Sequence, residues 1–272
     1  MIKVVWTGAA GLQFHNAKTA ILVDPYYTRI NFVSTLLSSI TPDAVAVDIM
    51  VPHPEQVKAI IVGHTHSDHA LDVPYIMRRS YAKLIGSQSM DALMSISGQP
   101  GRTTVCKGGE TVALGESAAV TMIRSTHGLV AMGKVPFPGE IRPTGTLPMK
   151  ASGYRVGTAF APKIQMQGMT FLHFGSANFI DEEIAGHTCD ILFLCVPGWK
   201  KRQGYPENLI SMTQAQTVVL IHWDDFSKPR VKGKKTRQMP FVDLEGMIQQ
   251  IKDHCPEVNI LVPEVGEVMA FG

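Results

Sequence analysis

A dense group of metal-binding side chains directly follows a short apolar strand, and it constrains the fold more than any other feature of the sequence. The group is His64-Thr65-His66-Ser67-Asp68-His69, and it comes after Ala59-Ile60-Ile61-Val62. The whole chain contains 10 His in 272 residues, so three of them within six positions make chance a poor explanation. Imidazole and carboxylate together suit zinc, manganese or iron. The sequence therefore predicts a metal site at the end of a buried strand.

Two more histidines stand at strand ends elsewhere in the chain. His127 follows the predicted strand 119–125, and His222 ends the apolar run 218–221. A single His in such a position is more often structural than a metal ligand. A metal needs three or more ligands, however, and the first loop cannot close a site alone. We therefore expect His127 and His222 to complete it.

Predicted strands alternate with predicted helices along the whole chain, which favours an α/β fold built in layers. No break in composition marks a boundary, so we expect a single domain over residues 1–272. Residues 30–50 contain apolar residues at helical spacing, and residues 128–150 indicate a long loop. The predicted strands are 2–6, 19–23, 59–62, 83–86, 169–174, 191–196 and 218–221. The predicted helices are 70–79, 89–96 and one with its apolar face on Phe241, Leu244, Ile248, Ile251 and Cys255.

Composition narrows the class of protein further. Hydrophobic residues make up 45% and charged residues 18%, which excludes a disordered chain. The net charge of only +2 does not produce an overall positive electrostatic field of the kind that attracts nucleic acid. The four Cys form no CxxC pair, which suits a reducing compartment. The longest apolar run, 191–196, is too short to span a bilayer, and the start of the chain does not read as a signal peptide. We expect a cytoplasmic protein with a small-molecule substrate and leave homo-oligomers open.

The ordered set of motifs resembles the metallo-β-lactamase superfamily. It consists of Asp24, the HxHxDH sequence at 64–69, His127, the Gly-containing strand end at 175–176 and His222. The resemblance covers essentially the whole chain. Within the superfamily, the chain is most similar to the branch of small metal-dependent hydrolases. This branch includes L-ascorbate 6-phosphate lactonase and the N-acyl phosphatidylethanolamine phospholipase D type. It implies a four-layer αββα sandwich with metals at one edge, between the two sheets.

The resemblance also implies roles for individual residues. The first metal would be held by His64, His66 and His127, and the second by Asp68, His69 and His222. Asp24 matches a carboxylate that braces the histidine loop. The family commonly has a metal-bridging Asp where this chain has Ser176, and this departure puts full two-metal occupancy in question. His173, on the same strand, is expected to support the site rather than to bind metal.

These features predict a metal-dependent hydrolase that uses a metal-bound hydroxide. We expect one or two divalent ions. Zinc is the first choice of metal, and manganese and iron are the alternatives. An ester or lactone is the first choice of substrate and a phosphodiester the second, with Asp68 as the catalytic carboxylate. A non-catalytic metal-binding protein of the same fold and an iron-dependent redox protein are the rivals. The basic residues Lys232, Lys234 and Lys235 follow His222, so we expect them to bind an anionic part of the substrate.

Overall fold

Two large β-sheets lie face to face, with helices on their outer faces. The computed structural model describes residues 1–16, 19–115, 117–130, 132–231 and 233–272. In these residues the strands are β1 Ile2–Gly8, β2 Gly11–Asn16, β3 Thr19–Val23, β4 Ser39–Ile40, β5 Val57–Ile61, β6 Lys83–Gly86, β7 Thr103–Val105, β8 Thr111–Gly115, β9 Ala118–Ser125, β10 Met149–Lys150, β11 Ala159–Met166, β12 Met169–Phe174, β13 Ile191–Cys195, β14 Thr217–Ile221, β15 Asn259–Leu261 and β16 Val268–Phe271. The α-helices are α1 Phe32–Leu37, α2 Ala44–Met50, α3 Ser67–Ala70, α4 Val73–Arg78, α5 Gln88–Ile96, α6 Asp181–Ile184, α7 Glu207–Thr213 and α8 Leu244–His254.

Each large sheet combines antiparallel and parallel strands. The first has the order β16-β1-β2-β3-β5-β6-β7, and its strands from β3 to β7 pair in parallel. The second has the order β15-β14-β13-β12-β11-β9-β8, and its strands from β12 to β15 pair in parallel. The short strands β4 and β10 pair separately. This arrangement confirms the predicted four-layer αββα sandwich.

The central strands are buried on both faces, which explains why they read as continuous apolar runs. Ile61 belongs to the core between the sheets, whereas its neighbour Ile60 packs in the core beneath the helices. Between the sheets, the ring of Phe14 lies 5.1 Å from that of Phe171 and 6.1 Å from that of Phe193, measured between centroids. Each such side chain contributes about 1.5–3 kcal/mol when fully buried. The facing sheets are therefore joined by a continuous apolar core.

The structure bears out most of the predicted elements. The strands 19–23, 83–86 and 169–174 have the predicted bounds, and the helical face near the C-terminus lies on α8. The predicted helix 70–79 divides into the end of α3 and α4. Apart from β10 and one isolated bridge position, the described part of residues 128–150 has no strand or helix, as expected.

Helix α1 has the predicted helical spacing but does not join the core. Val33, Leu36 and Leu37 are 65%, 56% and 70% exposed. Its apolar residues therefore lie at the surface, beside the cavity described below. No helix among the described residues has the length and apolar character needed to cross a bilayer.

Candidate metal centre

The ends of five strands, from both sheets, deliver the predicted site residues to one edge. Asp24 follows β3, His64 follows β5, His127 follows β9, Ser176 follows β12, and His222 follows β14. Carboxyl ends of strands in α/β sheets commonly form ligand sites. Asp24 and His222 both have positive φ, +43° and +65°. Non-Gly residues held in that region commonly mark functional sites.

The HxHxDH segment presents alternate side chains in different directions. Thr65 turns away and anchors the loop, because its backbone N–H donates to the Val156 carbonyl at 3.1 Å and its hydroxyl to the Arg155 carbonyl at 2.5 Å. His64 and His66 lie on the other side, and the single turn of α3 then presents Asp68 and His69. The local backbone thus divides the six-residue motif between two neighbouring clusters.

The first cluster consists of His64, His66 and His127. One ring nitrogen of each lies within 4.8 Å of the others. The Nε2 of His66 donates to the Pro136 carbonyl at 2.8 Å, and the Nδ1 of His127 donates to the Gly128 carbonyl at 2.7 Å. Because a carbonyl only accepts, these contacts fix the tautomers and leave the other nitrogen of each ring free to bind a metal. The buried Nε2 of His64 has no hydrogen-bond partner among the described residues.

The second cluster consists of Asp68, His69 and His222, whose donor atoms also lie within 4.8 Å of one another. The Oδ2 of Asp68 lies 3.3 Å from the Nε2 of His222 and 3.7 Å from the Nε2 of His69. The rings of His64 and His69 have their centroids 3.7 Å apart, so the two clusters are adjacent. The donor set suits two divalent ions, because each cluster supplies three imidazole or carboxylate ligands.

Burial and mutual proximity set the charge of these side chains. Burial lowers the pKa of His64 well below its usual value, and the neighbouring imidazoles add to the effect. Burial likewise lowers the pKa of His66 to about 4 and that of His127 to about 3. The first cluster is therefore neutral at pH 7, the state that metal binding requires.

The second cluster carries a carboxylate instead. Burial alone would raise the pKa of Asp68, but His69 and His222 outweigh it and hold that pKa below its usual value. The second cluster therefore contributes a negative charge.

Asp24 supports the second cluster from behind. It is completely buried, its Oδ1 accepts a 2.6 Å hydrogen bond from the backbone N–H of Gly63, and its Oδ2 lies 2.9 Å from the Nδ1 of His69. Burial would lower the pKa of His69, but Asp24 and then Asp68 outweigh it and raise that pKa. A carboxylate in this position orients the imidazole so that Nε2 points at the cluster.

Gly175 leaves the room that this arrangement needs. A Cβ added there would lie 2.8 Å from the Oδ2 of Asp24 and 3.2 Å from the Cε1 of His69. His173 packs beside it, with its Nε2 donating to the Ala10 carbonyl at 2.9 Å and its Nδ1 3.9 Å from the Oδ2 of Asp24. His173 thus contacts Asp24 and lies outside both three-residue clusters.

Ser176 lines the cavity beside the two clusters. Its hydroxyl accepts a 2.9 Å hydrogen bond from the backbone N–H of Gly128, next to His127 in the chain. The side chain therefore joins the ends of β9 and β12.

The two clusters share a cavity of about 380 Å³ whose wall is mainly apolar. Sequence reasoning missed most of that wall, because Pro136, Phe137 and Met239 lie in segments without periodicity. Tyr26 was missed as well, although its place directly after the Asp24-Pro25 turn could have indicated it. Among the described residues, this cavity has no Lys or Arg in its lining. Its apolar wall residues include Tyr26, Ile30, Phe32, Leu36, Val130, Pro136, Phe137, Phe226 and Met239.

Two of the three predicted substrate-binding lysines line a different cavity. Lys234 and Lys235 line a separate cavity of about 310 Å³, and Lys232 falls outside the described residues. Sequence proximity to His222 does not bring them to the metal cavity, because the chain turns after Asp225. The backbone N–H of Asp225 donates to the Arg237 carbonyl at 2.7 Å, which brings these two positions of the chain together.

Comparison with known proteins agrees with the geometry. Residues 3–222 match the family model described as the beta-lactamase superfamily domain. A protein of Anaeromyxobacter dehalogenans (strain 2CP-C), described as a UPF0173 metal-dependent hydrolase, is 26% identical over 243 residues, which is 85% of this chain and 77% of that protein.

Two solved structures share the fold. Igni18, a metallo hydrolase from Ignicoccus hospitalis, is 15% identical with a TM-score of 0.63, covering 100% of this chain and 98% of its own. An isothiocyanate hydrolase from Delia radicum gut bacteria is 17% identical with a TM-score of 0.60, covering 99% of both chains. The family match extends from β1 to His222, the last residue of the second cluster, and the chain belongs to the beta-lactamase superfamily.

Proposed function

We propose that this chain is a metal-dependent hydrolase that cleaves a carboxylic ester or lactone bearing an apolar group. One observation carries the proposal: two three-residue clusters, each able to hold a divalent ion, stand side by side at one cavity with an apolar wall. His64, His66 and His127 would hold the first ion, and Asp68, His69 and His222 the second. Ions bound there would supply Lewis acidity and lower the pKa of a coordinated water. Zinc is the first candidate, with manganese and iron next.

Asp68 is the group that would manage the proton. When water adds to the acyl carbon, a C–O bond forms and one proton of the water must leave. Only the Oδ2 of Asp68 faces His69 and His222, so its other oxygen is left to hold that proton. The proton then passes to the leaving oxygen as the original acyl C–O bond breaks, which yields an acid and an alcohol. The neighbouring imidazoles hold the pKa of Asp68 below its usual value, so the carboxylate is ionised and able to accept the proton.

The cavity wall supports an ester or lactone over a phosphodiester. A phosphodiester carries a negative charge that would have to enter a cavity whose described lining has no Lys or Arg. The apolar wall instead gains free energy from burying an acyl chain or ring, about 25 cal/mol for each Å² removed from water. Phe137, whose ring centroid lies 6.4 Å from that of His66, would contact the substrate beside the first cluster.

A panel of substrates tests the proposal. The purified protein, loaded in turn with zinc, manganese and iron, is assayed on p-nitrophenyl esters and γ-lactones of increasing acyl length and on bis(p-nitrophenyl) phosphate. An isothiocyanate is included because a structural neighbour hydrolyses that class. We expect kcat/KM to be highest for an ester or lactone and to rise with acyl length. A preference for the phosphodiester would overturn the bond class, and inactivity on the whole panel by a fully metal-loaded protein would favour a binding role.

A further inference from the structure

The cavity of about 310 Å³ behind the metal site has the opposite chemistry to the metal cavity. Of its twelve lining residues among those described, six are Lys or Arg and two are Asp. The six cationic residues are Arg29, Lys228, Arg230, Lys234, Lys235 and Arg237. None of them takes part in the proposed hydrolysis. The cavity is thus a concentrated cationic feature that needs its own explanation.

The two aspartates of this cavity are already engaged by neighbours. Asp224 is 1% exposed, and its Oδ2 lies 2.8 Å from the Nη1 of Arg29 while its Oδ1 accepts a 2.7 Å hydrogen bond from the backbone N–H of Ala9. The Oδ1 of Asp225 accepts a 2.6 Å hydrogen bond from the hydroxyl of Ser227. The two carboxylates offset two of the six positive charges, so the cavity keeps a net positive charge.

Two guanidinium groups occupy space that glycine leaves open beside the backbone. A Cβ on Gly8, where φ is +98°, would overlap the Nη2 of Arg29, and a Cβ on Gly266, where φ is +87°, would overlap the guanidinium of Arg230. Arg29 is paired with Asp224, whereas the guanidinium of Arg230 has no carboxylate partner among the described residues. A planar guanidinium of this kind suits bidentate binding of an oxyanion.

The remaining cations have no anionic partner in the described structure. Among those residues, no carboxylate oxygen lies within 4.0 Å of the charged nitrogens of Lys228, Lys234, Lys235 or Arg237, and the same holds for Arg230. The adjacent Glu264 accepts a hydrogen bond from the backbone N–H of Thr236, at 2.6 Å. These five side chains are exposed and line one cavity, so an anion with several negative charges could contact several of them at once.

We propose that this cavity binds a small molecule carrying phosphate. Its volume lies at the lower end of the range of about 300–1,000 Å³ for small-molecule sites. The net charge of the chain is only +2, so there is no extended field of the kind that long polyanions such as nucleic acids exploit. The concentration of charge inside one concavity fits one or two phosphate groups. This site needs neither the metals nor the hydrolytic activity.

The two cavities share their dividing wall. In the segment after His222, Phe226 and Ser227 line the metal cavity, whereas Asp224, Asp225 and Lys228 line the cationic one. The segment after Asp24 divides in the same way, with Ile30 on one side and Arg29 on the other. A bound phosphate would therefore immobilise the wall that carries His222, which gives the site a route to affect hydrolysis.

Calorimetry on metal-free protein tests the proposal, because phosphates also bind metal ions. The full chain, treated with EDTA and dialysed, is titrated with inorganic phosphate, pyrophosphate, a sugar phosphate and a nucleoside monophosphate. We expect pyrophosphate to bind with one site per chain and sulfate to compete with it. Comparing the affinities of the last two ligands shows whether the natural ligand is closer to a sugar phosphate or to a nucleotide.

A matched pair of variants locates the site. Arg230→Gln with Lys234→Gln should weaken pyrophosphate binding by about 100-fold, because each of the two charge-assisted contacts is worth about a factor of ten. The control, Lys201→Gln with Lys252→Gln, removes the same number of charges from exposed positions and should change binding less than about twofold. Equal weakening in both pairs, or no binding without metal, would overturn the proposal. Tighter binding of a single-stranded oligonucleotide than of pyrophosphate would overturn the small-molecule assignment. Circular dichroism verifies that each variant is folded.

Discussion

The metal cavity and the cationic cavity lie back to back, and their linings hardly resemble one another. The first is lined by imidazoles, aromatic rings and aliphatic side chains, without Lys or Arg among the described residues. Half of the second lining is Lys or Arg. The same two chain segments, after Asp24 and after His222, contribute to both. The comparison teaches that a residue's place in the sequence does not decide which cavity it serves, because neighbours such as Arg29 and Ile30 face opposite sides of one wall.

The first prediction tests whether the two cavities act independently, by removing one predicted metal ligand. His66→Ala should lower kcat/KM for the best ester or lactone by about 1,000-fold or more, because even the loss of an outer partner of a metal ligand costs about 10- to 100-fold. Pyrophosphate binding should stay within about twofold of the unmodified protein, since His66 lies in the other cavity. A loss of both properties would show that the two cavities are not independent. Lys201→Gln, at an exposed position, is the control for activity.

The second prediction concerns the shared wall and pH. The buried Asp72 accepts hydrogen bonds from the backbone N–H groups of Tyr27 and Thr28, at 2.6 and 2.9 Å, and so anchors the segment after Asp24. Burial outweighs these hydrogen bonds and raises the pKa of Asp72 from 3.8 to about 6. The folded state then holds this proton more tightly than the unfolded state, so the contribution of Asp72 to stability falls as pH rises from about 4 to 6.

The change amounts to about 3 kcal/mol, since one pKa unit corresponds to about 1.4 kcal/mol. Asp72→Asn cannot ionise and should lack this loss. The free energy of unfolding of the variant, relative to that of the unmodified protein, should therefore increase by about 3 kcal/mol between pH 4 and pH 7. Urea unfolding at a series of pH values measures it. A difference between the two proteins that does not change with pH would contradict the burial argument.

The sequence predicted the site residues at strand ends better than it predicted the residues of the metal-cavity wall. His64 and His222 were predictable because each ends a continuous apolar run, and such a run identifies a buried strand. Phe137 and Met239 were not, because they lie in loops whose path depends on tertiary contacts. Helix α1 was predictable from its spacing, yet spacing alone could not show that Leu36 and Leu37 remain exposed. Lys234 and Lys235 were expected at the metal site because sequence proximity carries no information about the turn after Asp225.

The third prediction tests the space behind the metal clusters. Gly175→Ala places a methyl group 2.8 Å from the Oδ2 of Asp24, so Asp24 or His69 must shift. We expect a loss of about 1–3 kcal/mol in stability and weaker metal binding at the second cluster. Gly145→Ala is the matched control, because its added Cβ would have its nearest neighbours at 3.5 Å. Equal effects of the two variants on metal content would contradict the close packing that we describe.

The fourth prediction concerns the affinity of the second cluster for its metal ion. Ser176→Asp adds a carboxylate beside the two clusters, where this chain has a neutral hydroxyl that accepts from the backbone N–H of Gly128. The added charge should tighten binding of the second metal by about tenfold, within the range for a ligand-shell change. Competition with a chromophoric chelator measures the affinity, and Ser176→Asn is the isosteric neutral control. If Asn tightens binding as much as Asp, charge is not the cause.

The smallest expected effect is the salt dependence of hydrolysis, which should differ from that of pyrophosphate binding. Hydrolysis of an uncharged ester should change less than about twofold between 0.05 and 0.5 M NaCl, because the described lining of the metal cavity contains no Lys or Arg to screen. Pyrophosphate binding should weaken several-fold over the same range, as screening reduces its attraction to the Lys and Arg residues. Steady-state kinetics and calorimetry at matched salt concentrations measure both. Strong salt dependence of the hydrolysis would place the cationic residues at the reaction site after all.

Metal stoichiometry tests the central claim most directly. The protein is purified without chelators, supplied with zinc or manganese, freed of excess metal and analysed by plasma mass spectrometry. We expect two ions per chain, with one ion lost in His66→Ala and the other lost in His222→Ala. A chain that remains metal-free in both solutions would contradict it. A single ion per chain that His222→Ala leaves in place would contradict the second cluster.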